Sequence, residues 1–124
     1  MIKLSDAEWE IMEVLWEKGK VSLSTTLEEL HKKDIPWVQN TVHTMITRLV
    51  KKEAITIHKD TRPFQYEANI SKKVCELKKA DNILNQAFDG SISKMVSSLI
   101  GNGRISDEEI TKLQEVIKHW QGGE

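Results

Sequence analysis

The stretch WVQNTVHTMITRLVKK, residues 37–52, decides the fold of this chain. Read as a helix, it carries one apolar stripe of side chains three and four positions apart, namely Val42, Met45, Ile46, Leu49 and Val50. At about 100° per residue, the opposite face carries short hydrogen-bonding and cationic side chains, with no carboxylate before Glu53. The pattern predicts a helix that packs on a core through one face and presents the other face for binding.

This polar face is typical of a helix that reads the major groove of DNA. Amides and hydroxyls can hydrogen-bond to base edges there, while Arg and Lys side chains meet phosphates. A helix that merely covers a core would show the same apolar stripe, so the rest of the chain has to separate the two interpretations. The residues of this helix that we expect to contact DNA are Gln39, Asn40, Thr41, His43, Thr44, Thr47, Arg48 and Lys51.

The charge is unevenly distributed along the 124 residues, although the net charge is only −1. Residues 37–66 contain five Lys or Arg against two acidic residues, whereas residues 5–18 contain five acidic residues against one Lys. A length of 124 residues fits one compact domain or two very small ones. Any nucleic-acid contact is therefore expected around the polar helix and its C-terminal neighbours.

Helix signals precede this stretch. Ser5 and Glu8 have the spacing of a capping box, and Gly19 is placed to end the helix that follows. Ser22 can cap a second helix, and Pro36 marks the break before the third. Three helices are therefore predicted in the first 52 residues.

The period of the apolar pattern changes from 3.6 to 2 after Ala54, which predicts a β-hairpin. The inward-facing side chains are Ile55, Ile57, Phe64, Tyr66 and Ala68, and the turn at residues 60–63 places Lys59 and Arg62 near the tip. Three helices followed by a hairpin with a basic tip indicate a winged helix-turn-helix. Lys59 and Arg62 are the wing residues that we expect to reach DNA.

Three further amphipathic helices are predicted after Ser71, and they are too short to bury their stripes alone. We expect residues 1–70 to form the winged helix and residues 71–124 to form a helical dimerisation domain, in a mostly α fold with a small β-hairpin wing. A two-fold dimer would also match a near-palindromic double-stranded DNA operator. The residues expected at the dimer interface are Leu77, Leu84, Phe88, Met95, Val96, Leu99, Ile100, Ile110, Leu113, Ile117 and Trp120.

Other classes of function find little support in the sequence. The four His residues lie on separate predicted elements, Cys75 is the only Cys, and no glycine-rich phosphate loop is present. We expect no catalytic residues, no metal site and no cofactor. The chain begins without an apolar signal core and has no apolar run long enough to cross a membrane, so a cytoplasmic protein is expected. A winged helix that binds only proteins is the remaining alternative, and it should expose apolar residues on the third helix.

Four segments of the chain resemble the penicillinase-repressor family, from about Leu4 to Trp120. They are SDAEWEIMEVLWEKG at 5–19, WVQNTVHTMITRLVKK at 37–52, FQYEA at 64–68 and ISDEEITKL at 105–113. The resemblance implies a dimeric winged-helix repressor of β-lactamase or related antibiotic-resistance genes. It also implies release by a sensor-activated protease that cuts the dimerisation domain. A same-fold repressor that answers another signal is the alternative within the family. A copper-responsive branch carries a C-terminal cysteine cluster, which the residues after Cys75 lack.

The chain departs from the family pattern at several positions. Where the family has Trp-Ser-Pro-Lys-Thr, this chain has Trp37 followed by Val38, Gln39 and Asn40. Glu53 stands where a helix-ending glycine is usual. The family's Asn-Phe cleavage dipeptide aligns with Ser98-Leu99, which is therefore the candidate cleavage site. These changes affect the expected operator sequence and the expected cleavage, but not the expected fold.

Overall fold

The computed structural model of the chain describes residues 2–122, and the chain divides into two compact units, Met1–Leu77 and Lys78–Glu124. The fold is mostly helical with a small antiparallel sheet, as predicted. Along the chain its elements are α1 (Asp6–Lys18), β1 (Val21–Ser22), α2 (Leu23–Lys32), α3 (Gln39–Lys51), β2 (Ile55–His58), β3 (Gln65–Ala68), α4 (Lys72–Phe88), α5 (Ile92–Gly101) and α6 (Asp107–Gly122).

The core of the first unit lies between α1, α2, α3 and the sheet. The stripe of α3 is buried as predicted, with Val50 only partly covered. The same core contains three fully buried residues of the preceding helices, namely Ile11 and Met12 of α1 and Leu30 of α2. The polar face of α3 is thereby turned away from the core.

The hairpin forms as predicted, with Ile57 opposite Tyr66 in an antiparallel register. Its sheet gains a third strand because Val21 of β1 pairs with Tyr66 of β3, which gives the order β1-β3-β2. Residues 20–23 are short enough that the sequence predicts no more than a β-bridge there, and the structure gives them a strand of two residues. The pairing with β1 attaches the hairpin to the segment between α1 and α2.

Both ends of α3 depart from the usual choice of residue. Val38 is the N-cap and makes no side-chain hydrogen bond to the helix. After the C-cap Lys52, Glu53 takes a left-handed backbone conformation with φ 65°. Asn69 Nδ2 donates a hydrogen bond of 3.0 Å to the Glu53 carbonyl. A left-handed residue with a side chain is strained by roughly 1–2 kcal/mol, which a glycine would avoid.

An ion pair joins the start of α1 to the end of α3. The Glu8 side chain is 1% exposed, and its Oε1 lies 2.7 Å from Lys52 Nζ. Glu8 also completes the predicted capping box with Ser5. Burial alone would raise the pKa of Glu8, but hydrogen bonds from Lys52 and Ser5 and the charge of Lys52 outweigh it and hold that pKa below its ordinary value. Because Lys52 Nζ also donates to the Lys3 carbonyl at 2.9 Å, its charge is directed inward.

The beginning of α4 belongs to the first unit. Lys72 Nζ lies 3.0 Å from Glu13 Oε2 of α1, and Cys75 is buried. Just before the helix, the Ile70 carbonyl accepts a hydrogen bond of 2.9 Å from Trp16 Nε1. These contacts extend the winged helix somewhat beyond the predicted end at residue 70.

The second unit contains the rest of α4 together with α5 and α6. Among the described residues that follow Cys75, none is buried. Ser91 caps α5 through a hydrogen bond from the Lys94 amide, and Ser106 accepts one from the Glu109 amide at the start of α6. In residues 2–122, no helix combines the length and the apolar character that a bilayer crossing requires.

We expect Glu8→Gln to destabilise the protein more at pH 7 than at pH 3. The pKa of Glu8 is lower in the folded state, so its ionised form stabilises folding above the unfolded value of about 4.3. This contribution is lost as the pH falls through the lower folded pKa. Loss of the charged pair should lower the free energy of unfolding at pH 7 by about 1–3 kcal/mol. Urea unfolding at the two pH values measures the difference.

The matched control for this prediction is Glu28→Gln, because Glu28 is exposed on α2. It should change the stability little at either pH. Equal destabilisation by Glu8→Gln at pH 7 and pH 3 would show that the ionised pair does not contribute.

Candidate nucleic-acid interface

All eight α3 residues predicted to contact DNA are exposed, from Gln39 to Lys51. Their exposure follows from the burial of the opposite stripe, since a helix cannot turn both faces to the core. No acidic residue occurs within Gln39–Lys51. The surface therefore combines amide, hydroxyl and cationic groups on one rigid element.

Two threonines of this face have their hydroxyl protons engaged within the helix. Thr44 Oγ1 donates to the Asn40 carbonyl at 2.8 Å, and Thr47 Oγ1 donates to the His43 carbonyl at 2.9 Å. Each oxygen keeps lone pairs that can accept a further hydrogen bond. In this rotamer the two side chains present an acceptor and a methyl group to a ligand, which suits the amino groups and methyl groups of base edges.

A shallow concavity runs along α3, lined by His43, Thr44, Thr47, Arg48 and Lys51. Its C-terminal end is cationic, and within the described part of the chain neither Arg48 nor Lys51 forms an ion pair. Both charges are therefore available to neutralise an anion such as a phosphate.

The wing lies beside the beginning of α3. A second groove is bordered on one side by Gln39 and His43 and on the other by Pro63 and Phe64 of the wing. Lys59 and Arg62 at the wing tip are exposed, as predicted. The Arg62 guanidinium lies over the Phe64 ring, with Cζ 4.6 Å from the ring centroid, so its direction is partly fixed. All ten predicted DNA-contacting residues thus belong to the first unit.

Two side chains behave differently from what the sequence alone suggested. Lys52 is one of the basic residues around α3 in the sequence, but its ammonium group is already bonded to the Glu8 carboxylate and the Lys3 carbonyl, so it is less available to a phosphate. In the sequence Val38 is only a departure from the family pattern, whereas in the structure its side chain is 64% exposed. Among the described residues before α4, it is the one large aliphatic side chain that is exposed. An apolar residue directly before a polar reading helix was the signal that could have identified it.

The first unit contains one of the residues predicted at a dimer interface, Leu77, which is 56% exposed on α4. Val74, one turn earlier, is exposed as well and was not predicted. Val74 and Leu77 are three positions apart, so a wider apolar stripe would have included both.

The other ten predicted interface residues lie in the second unit, where each is partly or largely exposed. Ile117 is 55% exposed and Trp120 is 69% exposed. Ile83, Ile92 and Val116 are exposed too, although they were not predicted. Ile83 directly precedes the stripe residue Leu84, and Val116 directly precedes Ile117. A pattern with spacings of three and four therefore does not include them.

The candidate cleavage site, Ser98-Leu99, lies within α5, and both residues are exposed. The Ser98 carbonyl accepts a hydrogen bond of 2.9 Å from Asn102 Nδ2 at the end of the helix. A peptide bond inside a regular helix is shielded from proteases until the helix opens locally. In residues 2–122, no cluster of three or more His, Cys, Asp or Glu side chains could hold a metal ion.

Comparisons with known proteins point in the same direction as this geometry. A family model described as penicillinase repressor matches residues 4–119. The penicillinase repressor of Bacillus licheniformis is 34% identical over 116 residues, which is 94% of this chain and 90% of that protein. The methicillin resistance regulatory protein MecI of Staphylococcus aureus strain N315 is 32% identical over 116 residues, which is 93% of each chain.

A solved structure is also similar to this chain, namely the solution structure of the DNA binding domain of the repressor BlaI. It is 38% identical, with a TM-score of 0.51, and the match covers 56% of this chain and 84% of that one. The covered share, 56% of 124 residues or about 69, is somewhat shorter than the 77 residues of the first unit. The similarity supports the winged-helix assignment.

The uncapped start of α3 generates a stability prediction. We expect Val38→Ser to raise the free energy of unfolding by about 1 kcal/mol, because a serine side chain can accept a hydrogen bond from the amide of the second or third helical residue. For a domain of 60–100 residues this corresponds to a rise in Tm of roughly 4–8 °C. Val38→Ala, which cannot cap, should leave Tm nearly unchanged. A lower Tm for the serine variant would mean that Val38 makes stabilising contacts.

Proposed function

Because the chain belongs to the penicillinase repressor family, we propose that it is a sequence-specific DNA-binding transcriptional repressor of β-lactam resistance genes. The observation that carries the proposal is the exposed, acid-free polar face of α3, with the basic wing tip beside it. A helix-turn-helix inserts such a face into the major groove, where base edges are read. The role proposed is regulatory rather than catalytic.

The α3 side chains divide into two groups by chemistry. Asn40, Thr41, Thr44 and Thr47 face the base edges, with Gln39 and His43 toward the wing side. Cationic side chains hold the phosphates on either side, namely Arg48, Lys51, Lys59 and Arg62. Base contacts then supply the sequence preference, while phosphate contacts supply affinity and orientation.

A winged helix that binds only proteins is less well supported. Such a module would present a contiguous apolar surface on α3, since the buried centre of a protein interface is depleted in charged residues. Among the described residues of α3, those with exposed side chains are all polar or charged. The single exposed aliphatic residue, Val38, precedes the helix and does not form a patch.

We further propose that the repressor is a homodimer held by the apolar side chains of α4, α5 and α6. In support, no described residue after Cys75 is buried in the single chain, although these helices carry long apolar stripes. Covering exposed apolar surface of this kind with a second copy of the chain removes it from water and therefore favours association. A two-fold dimer presents two α3 helices to the two halves of a near-palindromic operator.

Induction by proteolysis follows from the same arrangement. When two winged helices are joined, the second half-site is bound at an effective concentration of up to about millimolar, and cutting the connection removes this gain. A sensor-activated protease that cuts α5 at or near Ser98-Leu99 would therefore release the operator. Gly101 at the end of α5 lowers helix stability relative to alanine, which favours the local opening that a protease needs.

The assignment of α3 side chains generates one prediction. A duplex selected by the full-length chain from a random-sequence pool serves as the probe. Thr44→Ala should reduce discrimination between the selected duplex and one altered in a half-site by about 1–3 kcal/mol. Lys51→Ala should weaken both duplexes about equally and lower the slope of log affinity against log salt by about one. Fluorescence anisotropy over a salt series measures both effects.

Two comparisons make this test selective. Lys73→Ala removes an exposed charge from α4 and should leave the salt slope unchanged. If Thr44→Ala keeps its full preference for the selected duplex, the placement of α3 in the major groove is wrong.

The dimer proposal generates another prediction. Ile117 is more than half exposed in the single chain, so Ile117→Glu should leave the fold of the monomer intact and place a charge in the interface. We expect it to shift sedimentation equilibrium from dimer to monomer and to weaken operator binding by at least about tenfold. His119→Glu introduces the same charge on the opposite face of α6 and should change neither. A monomeric variant that binds the operator as tightly as the original chain would contradict the proposal.

A further inference from the structure

Val38 is placed where the recognition helix begins, and its side chain makes no capping hydrogen bond and is mostly exposed. It is 64% exposed, although it is β-branched and apolar. As the N-cap it leaves the first helical amides without a side-chain acceptor, which serine, threonine, asparagine or aspartate would supply. The residue therefore disfavours the helix and gains only limited burial in return, which suggests a contact outside the chain.

The backbone around Val38 is held in place. Its carbonyl accepts the first helical hydrogen bond, from the Val42 amide at 3.2 Å, and His31 Nε2 lies 2.9 Å from the Trp37 carbonyl just before it. A β-branched side chain on an extended backbone has few rotamers. The two methyl groups of Val38 are consequently presented in a nearly fixed direction, and little entropy is lost when they make a contact.

The chemistry of the neighbouring surface indicates what that contact is. The first residues of a recognition helix are the ones that reach base edges in the major groove. The one apolar group on those edges is the C5-methyl of thymine, which aliphatic side chains contact. Resting on the proposed DNA-binding function, we infer that Val38 is a specificity-determining residue that selects a thymine in each half-site through its 5-methyl group.

The experiment removes that methyl group from the DNA. A duplex selected from a random-sequence pool by the full-length chain is resynthesised with deoxyuridine in place of thymine, one position at a time in each half-site. Burying a methyl group contributes about 0.8 kcal/mol, so the original chain should lose about fourfold in affinity per half-site at one position and little at the others. Val38→Ala should bind the thymine and deoxyuridine duplexes equally at that position.

Two variants control for indirect effects. Val38→Ile keeps a β-branched aliphatic side chain and should retain the preference for thymine. Thr56→Ala changes an exposed residue of β2 and should leave the preference for thymine unchanged. Thermal unfolding of each variant verifies that the winged helix is intact, and Val38→Ala is expected to fold because Val38 is exposed and is not part of the hydrophobic core.

The outcomes separate this inference from the function on which it rests. If the chain binds its selected duplex tightly and no single deoxyuridine weakens binding, Val38 does not read thymine, while the repressor function stands. The same conclusion follows if Val38→Ala keeps the full thymine preference, or if the selected half-site has no invariant thymine. If no sequence is enriched from the pool, both the DNA-binding function and this inference are wrong.

Discussion

The first unit depends on the requirement that α3 pack one face into the core and leave the opposite face exposed. Four residues of its stripe are buried, and between them they contact both preceding helices and the sheet. That burial sets the direction of the polar face. Because interiors are close-packed, the rotation of α3 about its axis cannot drift without opening cavities. The accuracy of any contact made by Thr44 or Asn40 thus originates in the packing of Ile46 and Leu49 on the other side of the helix.

The sequence predicts the features of this fold that depend on local periodicity and spacing. The α3 stripe, the hairpin and the capping box of Ser5 and Glu8 each occupy a short window, and each was predicted correctly. The inward direction of Lys52 could not be predicted in this way, since its partner Glu8 lies 44 positions away. The exposure of Val38 was missed for the same reason. Whether a side chain at a helix end packs or projects depends on the elements that surround it, and these come together only in the folded chain.

The two units differ in how much of their apolar surface the single chain buries. The first unit has a continuous core, to which the three helices before the hairpin and the hairpin itself contribute. The second unit has three amphipathic helices and no buried residue among those described, so its stability is expected to depend on association. If the second unit forms the proposed dimer, DNA affinity depends on a unit that is separate from the one that contacts the DNA. The sequence indicated this division, because the three helices predicted after Ser71 carry apolar stripes that they are too short to bury among themselves.

The exposure of all ten candidate DNA-contacting positions has a consequence for how such proteins diverge. None of the ten belongs to the core, so substitutions there are filtered by what the protein binds and hardly by whether it folds. After gene duplication, two copies could acquire separate target sites within a few substitutions and stop competing for each other's promoters. The buried stripe of α3, by contrast, would tolerate few changes over the same interval. One helix would therefore evolve at two different rates on its two faces.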